Sequence, residues 1–132
     1  MSNQAILEWK GGLLFRGEMN GQELMLDGKR IEGLSPMEAL MFALAGCMAI
    51  DLVHILGRMR AELQSLKTEV EGERAPTEPK RFTKIRLRYI LSGNNIKPAD
   101  VERAIALSRE KYCSVFHSLR QDLELAVSYV IL

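Results

Sequence analysis

The stretch of sequence that decides the fold covers residues 35–51 and reads SPMEALMFALAGCMAID. It opens with a helix start, in which Ser35 is the N-cap, Pro36 takes the first helical position and Glu38 completes a capping box. Over residues 39–50 the helix is apolar on every face, and such a helix must be surrounded by protein. Because a chain of 132 residues can hardly surround it alone, we expect the helix to pack at the centre of a dimer.

Three short strands are predicted before this helix, at residues 5–10, 13–18 and 23–26. Gly11-Gly12 and Asn20-Gly21 separate them, and both pairs are typical of tight turns between paired strands. Consecutive hairpins of this kind indicate a β-meander.

The helix should end near Arg60, after which the period of the apolar pattern changes from 3.6 to 2. In residues 66–73 and 84–91, residues of an apolar face alternate with residues of a mostly charged face. A proline-containing turn at residues 75–80 joins the two segments. We expect a long hairpin with one apolar and one charged face, on which opposite charges pair across the strands. Residues 92–95 are expected to form a loop.

A second helix opens at Pro98 and runs to about Tyr112, with a further short helix possible over residues 113–119. A last strand is predicted at residues 123–131. The sequence therefore predicts an α+β fold of order β-β-β-α-β-β-α-β with a long buried central helix, as a single domain over residues 1–132.

Charge and composition exclude several classes of function. Eighteen basic and seventeen acidic residues leave a net charge of +1, so the basic patch of a nucleic-acid-binding protein is absent. No signal peptide is visible, and the uncharged run at residues 39–50 is shorter than the roughly 20 residues that span a bilayer. We expect a cytoplasmic protein that binds neither nucleic acid nor membrane. There, two cysteines are more often catalytic, metal-binding or buried than a permanent disulfide.

The two cysteines are the first candidates for chemistry. Cys47 lies inside the central helix, and Cys113 follows the second helix 66 positions later, so only the fold can bring them together. A reactive thiol needs a nearby cation or a helix N-terminus, and Arg16, Arg58 and Lys111 are candidate cations by type. The simpler alternative is that both cysteines are core residues, because cysteine is among the most buried residue types. Spacing alone leaves both interpretations open.

Asp51 and His54 lie on the same helical stripe as Cys47. An aspartate inside an apolar helix requires a partner, either Arg58 or a residue of another subunit. A structural ion pair is favoured over an acid–base role, and His54 is interpreted as an interfacial histidine. A zinc site is disfavoured because no paired cysteine ligands accompany Cys113. No cofactor-binding loop occurs, so we expect neither a metal nor a bound cofactor.

Three stretches resemble the OsmC-like superfamily, which includes osmotically inducible protein C and the organic hydroperoxide resistance proteins. They are residues 35–51, residues 71–75 with the following Pro79 and Phe82, and residues 106–115. The resemblance covers nearly the whole chain, and the two cysteine contexts are its most specific part. It implies an intertwined homodimer with both central helices at its middle and two active sites at the subunit interface.

The resemblance also implies a role for individual residues. Cys47 matches the thiol that attacks the peroxide, and Cys113 matches the thiol that resolves the resulting sulfenic acid as a disulfide, which an external dithiol then reduces. The catalytic arginine of the family comes from the N-terminal strands, where Arg16 is the natural candidate. The active members carry a glutamate directly after the proline of the helix start, whereas this chain has Met37 there and Glu38 one residue later.

Three hypotheses follow. The first is a thiol-dependent hydroperoxide reductase that acts on organic hydroperoxides through a Cys47/Cys113 redox pair. The alternative is a non-enzymatic module on the same fold that binds a lipophilic ligand or senses redox state, which Met37 favours. A distant third is a thioester hydrolase with Asp51 as its base.

Overall fold

Three antiparallel strands form the N-terminal sheet of the computed structural model, which describes all 132 residues. They are β1 (Ile6–Trp9), β2 (Leu14–Met19) and β3 (Gln22–Asp27), in the order β1-β2-β3. The connecting residues Gly11-Gly12 and Asn20-Gly21 all have positive φ, as such tight turns require. The predicted β-meander is confirmed. The sheet belongs to the first of two compact units, residues 1–40, and residues 41–132 form the second; the single domain over the whole chain stays a prediction.

A buried aspartate organises the turn that follows β3. Asp27 accepts hydrogen bonds from the backbone N–H groups of Lys29 at 2.9 Å, Ile31 at 3.2 Å and Glu32 at 3.0 Å. These N–H groups, that of Glu32 first, hold the pKa of Asp27 below its usual value. The carboxylate thus satisfies three backbone donors that turn formation would otherwise leave unpaired.

The capping box at the start of the long helix α1 (Pro36–Arg58) forms as predicted. The Ser35 N–H donates to Glu38 Oε1 at 2.9 Å, and the Glu38 N–H donates to Ser35 Oγ at 3.2 Å. Arg30 lies 3.9 Å from the second carboxylate oxygen of Glu38. Glu38 therefore has partners at the helix start. The helix ends at Arg58, two residues before the predicted Arg60.

Only one stripe of α1 is buried within the chain. Phe42, Ile50 and Val53 on another side are 64%, 60% and 50% exposed, so the prediction of a buried helix holds for part of its surface. By length and composition alone, with a mean hydropathy of 2.1, α1 could also cross a bilayer. The uncharged run at residues 39–50 is by itself too short to do so. The stripe that the chain does bury consists of Leu44, Ala45, Met48, Leu52, Ile55 and Leu56.

The second sheet contains β4 (Glu62–Arg74), β5 (Phe82–Asn94) and β6 (Glu124–Ile131), in the order β4-β5-β6. β4 and β5 form the predicted antiparallel hairpin, and β6 joins β5 in parallel. The loop expected at residues 92–95 begins only after Asn94, because Asn94 still pairs with Glu62 of β4. That part of the prediction was wrong.

The outer face of this sheet carries the expected ion pairs. Arg86 lies 3.3 Å from Glu71 and 2.6 Å from Glu73, and Arg88 lies 3.2 Å from Glu69. The opposite face packs into the core through Ile85, Leu87, Tyr89 and Leu91 of β5, all buried.

The helical segment between β5 and β6 changes its winding before Cys113. α2 (Pro98–Leu107) is followed by one π-helical turn (Ser108–Tyr112) and the short helix α3 (Ser114–Ser118). The Cys113 N–H closes the π turn by donating to the Ser108 carbonyl oxygen at 2.8 Å. The α-helix predicted up to Tyr112 is therefore five residues shorter, and the possible short helix after Cys113 is confirmed.

Candidate functional site

Cys47 lies half-buried on α1. Asp51, His54 and Arg58 follow it at positions that fall on the same side of an α-helix. Asp51, His54 and Arg58 line a surface cavity of about 210 Å³ together with Ile55 and Tyr112. The helix thus presents the Cys47 thiol on a stripe of polar side chains that flanks its buried stripe.

Cys113 is fully buried and serves as the N-cap of α3, where its Sγ accepts a hydrogen bond from the Phe116 N–H at 3.4 Å. Burial is the largest influence that raises the pKa of Cys113 to about 11, and the Phe116 N–H acts against it. The Cys47 thiol and the Asp51 carboxylate raise this pKa as well. Cys113 is therefore a protonated thiol at neutral pH.

The fold brings the two cysteines together. The Cys47 side chain lies beside the Cys113 thiol and raises its pKa, and both cysteines are free thiols. Two adjacent thiols can exchange between a dithiol and a disulfide state. Within residues 41–132, the fold therefore places side by side the two thiols whose relation the spacing alone left open.

Asp51 pairs with the hydroxyl group of Ser108. The Ser108 Oγ donates to Asp51 Oδ2 at 2.7 Å, and Ser108 is completely buried. No ion pair joins Asp51 to Arg58 within the chain, so the predicted pairing of Asp51 with Arg58 is wrong. The hydrogen bond connects α1, which carries Cys47, to the first residue of the π turn that leads to Cys113.

Tyr89 lies on the core face of β5 and is completely buried. Its hydroxyl group is the one buried side-chain oxygen or nitrogen atom that has no hydrogen-bond partner in the chain. Burial raises the pKa of Tyr89 well above its usual range, and the charges of Cys113, Asp51 and Cys47 act in the same direction. The phenol therefore stays protonated, within electrostatic range of both thiols.

Arg16 belongs to the N-terminal unit and lies on β2. Its guanidinium group contacts the carboxylates of Glu23, Glu18 at 3.2 Å and Glu8 at 3.9 Å. The hydrogen bond to Glu23 is the largest influence that raises the pKa of Arg16. Within its own sheet the cation is thus already paired, and its proposed role toward the Cys47 thiolate stays a prediction.

Sequence reasoning did not single out Tyr89 or assign a role to Ser108. Each had a signal: Tyr89 places a hydroxyl group on the apolar side of an alternating strand, and Ser108 places one on the apolar stripe of a helix. A polar group at such a position needs a partner. The sequence does not contain the identity of that partner, because it comes from another element.

A family model described as OsmC-like protein matches residues 27–128 of the chain. Protein YhfA of Escherichia coli strain K12 is 38% identical over 130 residues, which cover 97% of both chains. A crystal structure of a hypothetical protein from Aquifex aeolicus VF5 is similar with a TM-score of 0.92 and 28% identity, over 100% of this chain and 97% of that one.

The fold is also shared with an organic hydroperoxide resistance protein OsmC from Legionella pneumophila. The TM-score is 0.71 over 98% of this chain and 96% of that chain, at 18% identity. At this identity the similarity concerns the fold alone.

Proposed function

Because the chain belongs to the OsmC-like family, we propose that it is a thiol-dependent reductase of organic hydroperoxides that uses Cys47 and Cys113 as its redox pair. The observation that carries the proposal is the proximity of these two thiols, which lie 66 positions apart in the sequence. Structures of organic hydroperoxide resistance proteins share the fold, which supports a redox or peroxide-resistance role.

The reaction begins when the Cys47 thiolate attacks the terminal peroxide oxygen. A sulfur–oxygen bond forms, the oxygen–oxygen bond breaks, and the departing alkoxide takes up a proton to leave as an alcohol. Cys47 is thereby oxidised to a sulfenic acid. The Cys113 sulfur then displaces this oxygen as water and forms a disulfide, which an external dithiol reduces by exchange. No bound cofactor takes part.

The burial of the two thiols supports this division of roles. Cys47 is half-buried, so a peroxide can approach it from the surface of α1. Cys113 is completely buried and its pKa is raised to about 11, so it is a poor first nucleophile at neutral pH. It is suited to attack a sulfenic acid that forms beside it.

We place this chemistry in a cytoplasmic homodimer, in which Arg16 stabilises the Cys47 thiolate. The apolar face of α1 that the chain leaves exposed supports a second copy as its cover. The family model matches residues 27–128 and a solved structure covers 98% of the chain, which supports α1 as a core element of a soluble fold rather than a membrane span.

A second candidate is a ligand-binding or redox-sensing module with little peroxidase turnover. Met37 occupies the position at which the resemblance expects an orienting glutamate, and Glu38 is engaged in the capping box with Ser35. An arginine at the site would then lack its carboxylate partner, which would slow the attack on peroxide. The cysteines would in that case report redox state or serve only the structure.

Counting thiols distinguishes the two candidates. Fully reduced protein is mixed with excess cumene hydroperoxide, and free thiols are titrated over time. We expect the loss of two thiols per chain, with the disulfide reopened by a dithiol. Cys113→Ser should still lose its single thiol, and Cys47→Ser should keep Cys113. If the wild type retains both thiols, the peroxidase proposal fails, and a ligand retained in native mass spectrometry then favours the binding module.

A further inference from the structure

The buried hydroxyl group of Tyr89 has no role in the steps described so far. A buried polar group without a partner is unfavourable, and nearly all such groups in folded proteins are paired. All other buried side-chain oxygen and nitrogen atoms of this chain have a partner. The one exception lies near enough to both thiols for their charges to raise its pKa, which makes it a free donor for an oxygen atom that is bound there during the reaction.

The alternative use of a tyrosine at this position would be packing alone. Its neighbours along the core face of β5, Leu87 and Leu91, are aliphatic, and a phenylalanine would fill the same space without an unpaired hydroxyl group. Tyr129, its partner in register on β6, differs in this respect because it is only part-buried and lies beside the Glu102 carboxylate. The two tyrosines are neighbours in the sheet, and only Tyr89 has a buried hydroxyl group without a partner.

We propose that Tyr89 is a catalytic residue whose hydroxyl group donates a hydrogen bond to the oxygen atom that Cys47 acquires as a sulfenic acid. This inference rests on the proposed function and adds a residue to the same site. During resolution the Cys113 sulfur forms a bond with the Cys47 sulfur, and the sulfur–oxygen bond breaks. The electron pair of that bond goes to the oxygen, which takes up the proton lost by Cys113 and leaves as water. A donor at this oxygen stabilises the charge that develops on it.

Two features of the site make this assistance useful at the resolving step. Cys113 is protonated at neutral pH and therefore a weak nucleophile, so resolution depends strongly on how easily the oxygen leaves. The phenol of Tyr89 remains protonated because it is buried beside acidic groups. It is thus available as a hydrogen-bond donor at neutral pH and carries no charge.

Tyr89→Phe removes the hydroxyl group and keeps the ring. In single-turnover mixing of reduced protein with cumene hydroperoxide, we expect disulfide formation to slow by roughly ten- to hundredfold. The sulfenic acid of Cys47 should accumulate and be trapped by a cyclic 1,3-dione. In a Cys113→Ser background, where no resolution occurs, the rate of Cys47 oxidation should change far less. Tyr129→Phe is the matched control and should resolve at the wild-type rate.

The effect of the substitution on stability distinguishes this role from a structural one, because the loss of a structural contact would lower stability. Because the Tyr89 hydroxyl group has no partner in the resting protein, Tyr89→Phe should leave the urea midpoint unchanged or raise it. A lowered midpoint, or disulfide formation at the wild-type rate, would overturn the inference. If the wild-type protein keeps both thiols in excess peroxide, the proposed function fails and this inference fails with it.

Discussion

At the scale of single residues, the environment of Cys113 determines when it can react. Burial is the main reason that its pKa rises to about 11, and the neighbouring Cys47 and Asp51 act in the same direction. A thiol of this kind is inert toward peroxide at neutral pH, since the thiolate is the nucleophile. In the proposed reaction with a sulfenic acid, proximity favours Cys113 instead, because the Cys47 side chain lies beside it.

The raised pKa of Cys113 predicts how stability depends on pH. The ordinary pKa of the thiol is 9.0, and the folded-state pKa is about 11, so the unfolded chain loses this proton first. The contribution of Cys113 to the free energy of unfolding is therefore complete below about pH 9 and is lost as the pH rises toward 11. Urea unfolding of the reduced protein across this range measures the effect.

Cys113→Ser is the control for this pH dependence, because it lacks the titrating thiol and retains Tyr89. Between pH 9 and 11, the free energy of unfolding should fall more for the wild type than for the variant. A difference that stays constant with pH would contradict the raised pKa.

At the scale of secondary structure, one hydrogen bond joins the two elements that carry the cysteines. Asp51 lies one turn after Cys47 on α1, and Ser108 begins the π turn that ends at Cys113. A π turn contains one additional residue and is frequently found at functional sites. The Asp51–Ser108 bond therefore sets how α1 and the π turn are placed relative to one another, and with them the two thiols.

Ser108→Ala should lower the free energy of unfolding by about 2 kcal/mol, because it removes a buried hydrogen bond to a charged group and leaves one oxygen of Asp51 without its donor. It should also slow disulfide formation while Cys47 still reacts with peroxide, as the thiols lose their fixed placement. Chemical denaturation and single-turnover thiol titration measure the two effects. Ser128→Ala, on the exposed face of β6, should change neither, and a Ser108→Ala protein with wild-type stability would contradict the role of this bond.

At the scale of the whole molecule, the chain leaves a broad apolar face of α1 uncovered. Phe42, Ile50 and Val53 are at least half exposed, and the space beside Gly46 and Gly57 is open. An exposed patch of this kind on a helix is typical of an interface. Small residues between large apolar ones also let a second helix approach closely, which supports the proposed homodimer.

Ile50→Lys tests the homodimer, because the substitution places a charge in the centre of this apolar face. Burying an unpaired ammonium group is strongly unfavourable, so the dimer should weaken at least about tenfold. Sedimentation equilibrium should give twice the chain mass for the wild type and for Gln121→Lys, an exposed control in the turn before β6. A wild-type protein that sediments as a monomer would exclude the proposed dimer.

The sequence by itself determined the elements whose cause is local. Positive φ at the Asn20-Gly21 turn and the reciprocal hydrogen bonds of Ser35 and Glu38 depend on residues a few positions apart, so their pattern can be interpreted directly. The alternation along β4 and β5 predicted both the hairpin and its ion pairs. Where local signals compete with pairing, prediction was wrong: the Gly-Asn segment at residues 93–94 resembles a loop but continues β5, because β4 supplies its partners.

Only the tertiary structure decided the chemistry of the site. Cys47 and Cys113 come into range because α1 and the π turn pack together, a contact between residues 66 positions apart that no spacing rule contains. The same packing gives Asp51 a serine partner in place of Arg58 and leaves the Tyr89 hydroxyl group unpaired. Burial and long-range partners determine pKa and hydrogen bonding, and both are properties of the folded chain rather than of its local sequence.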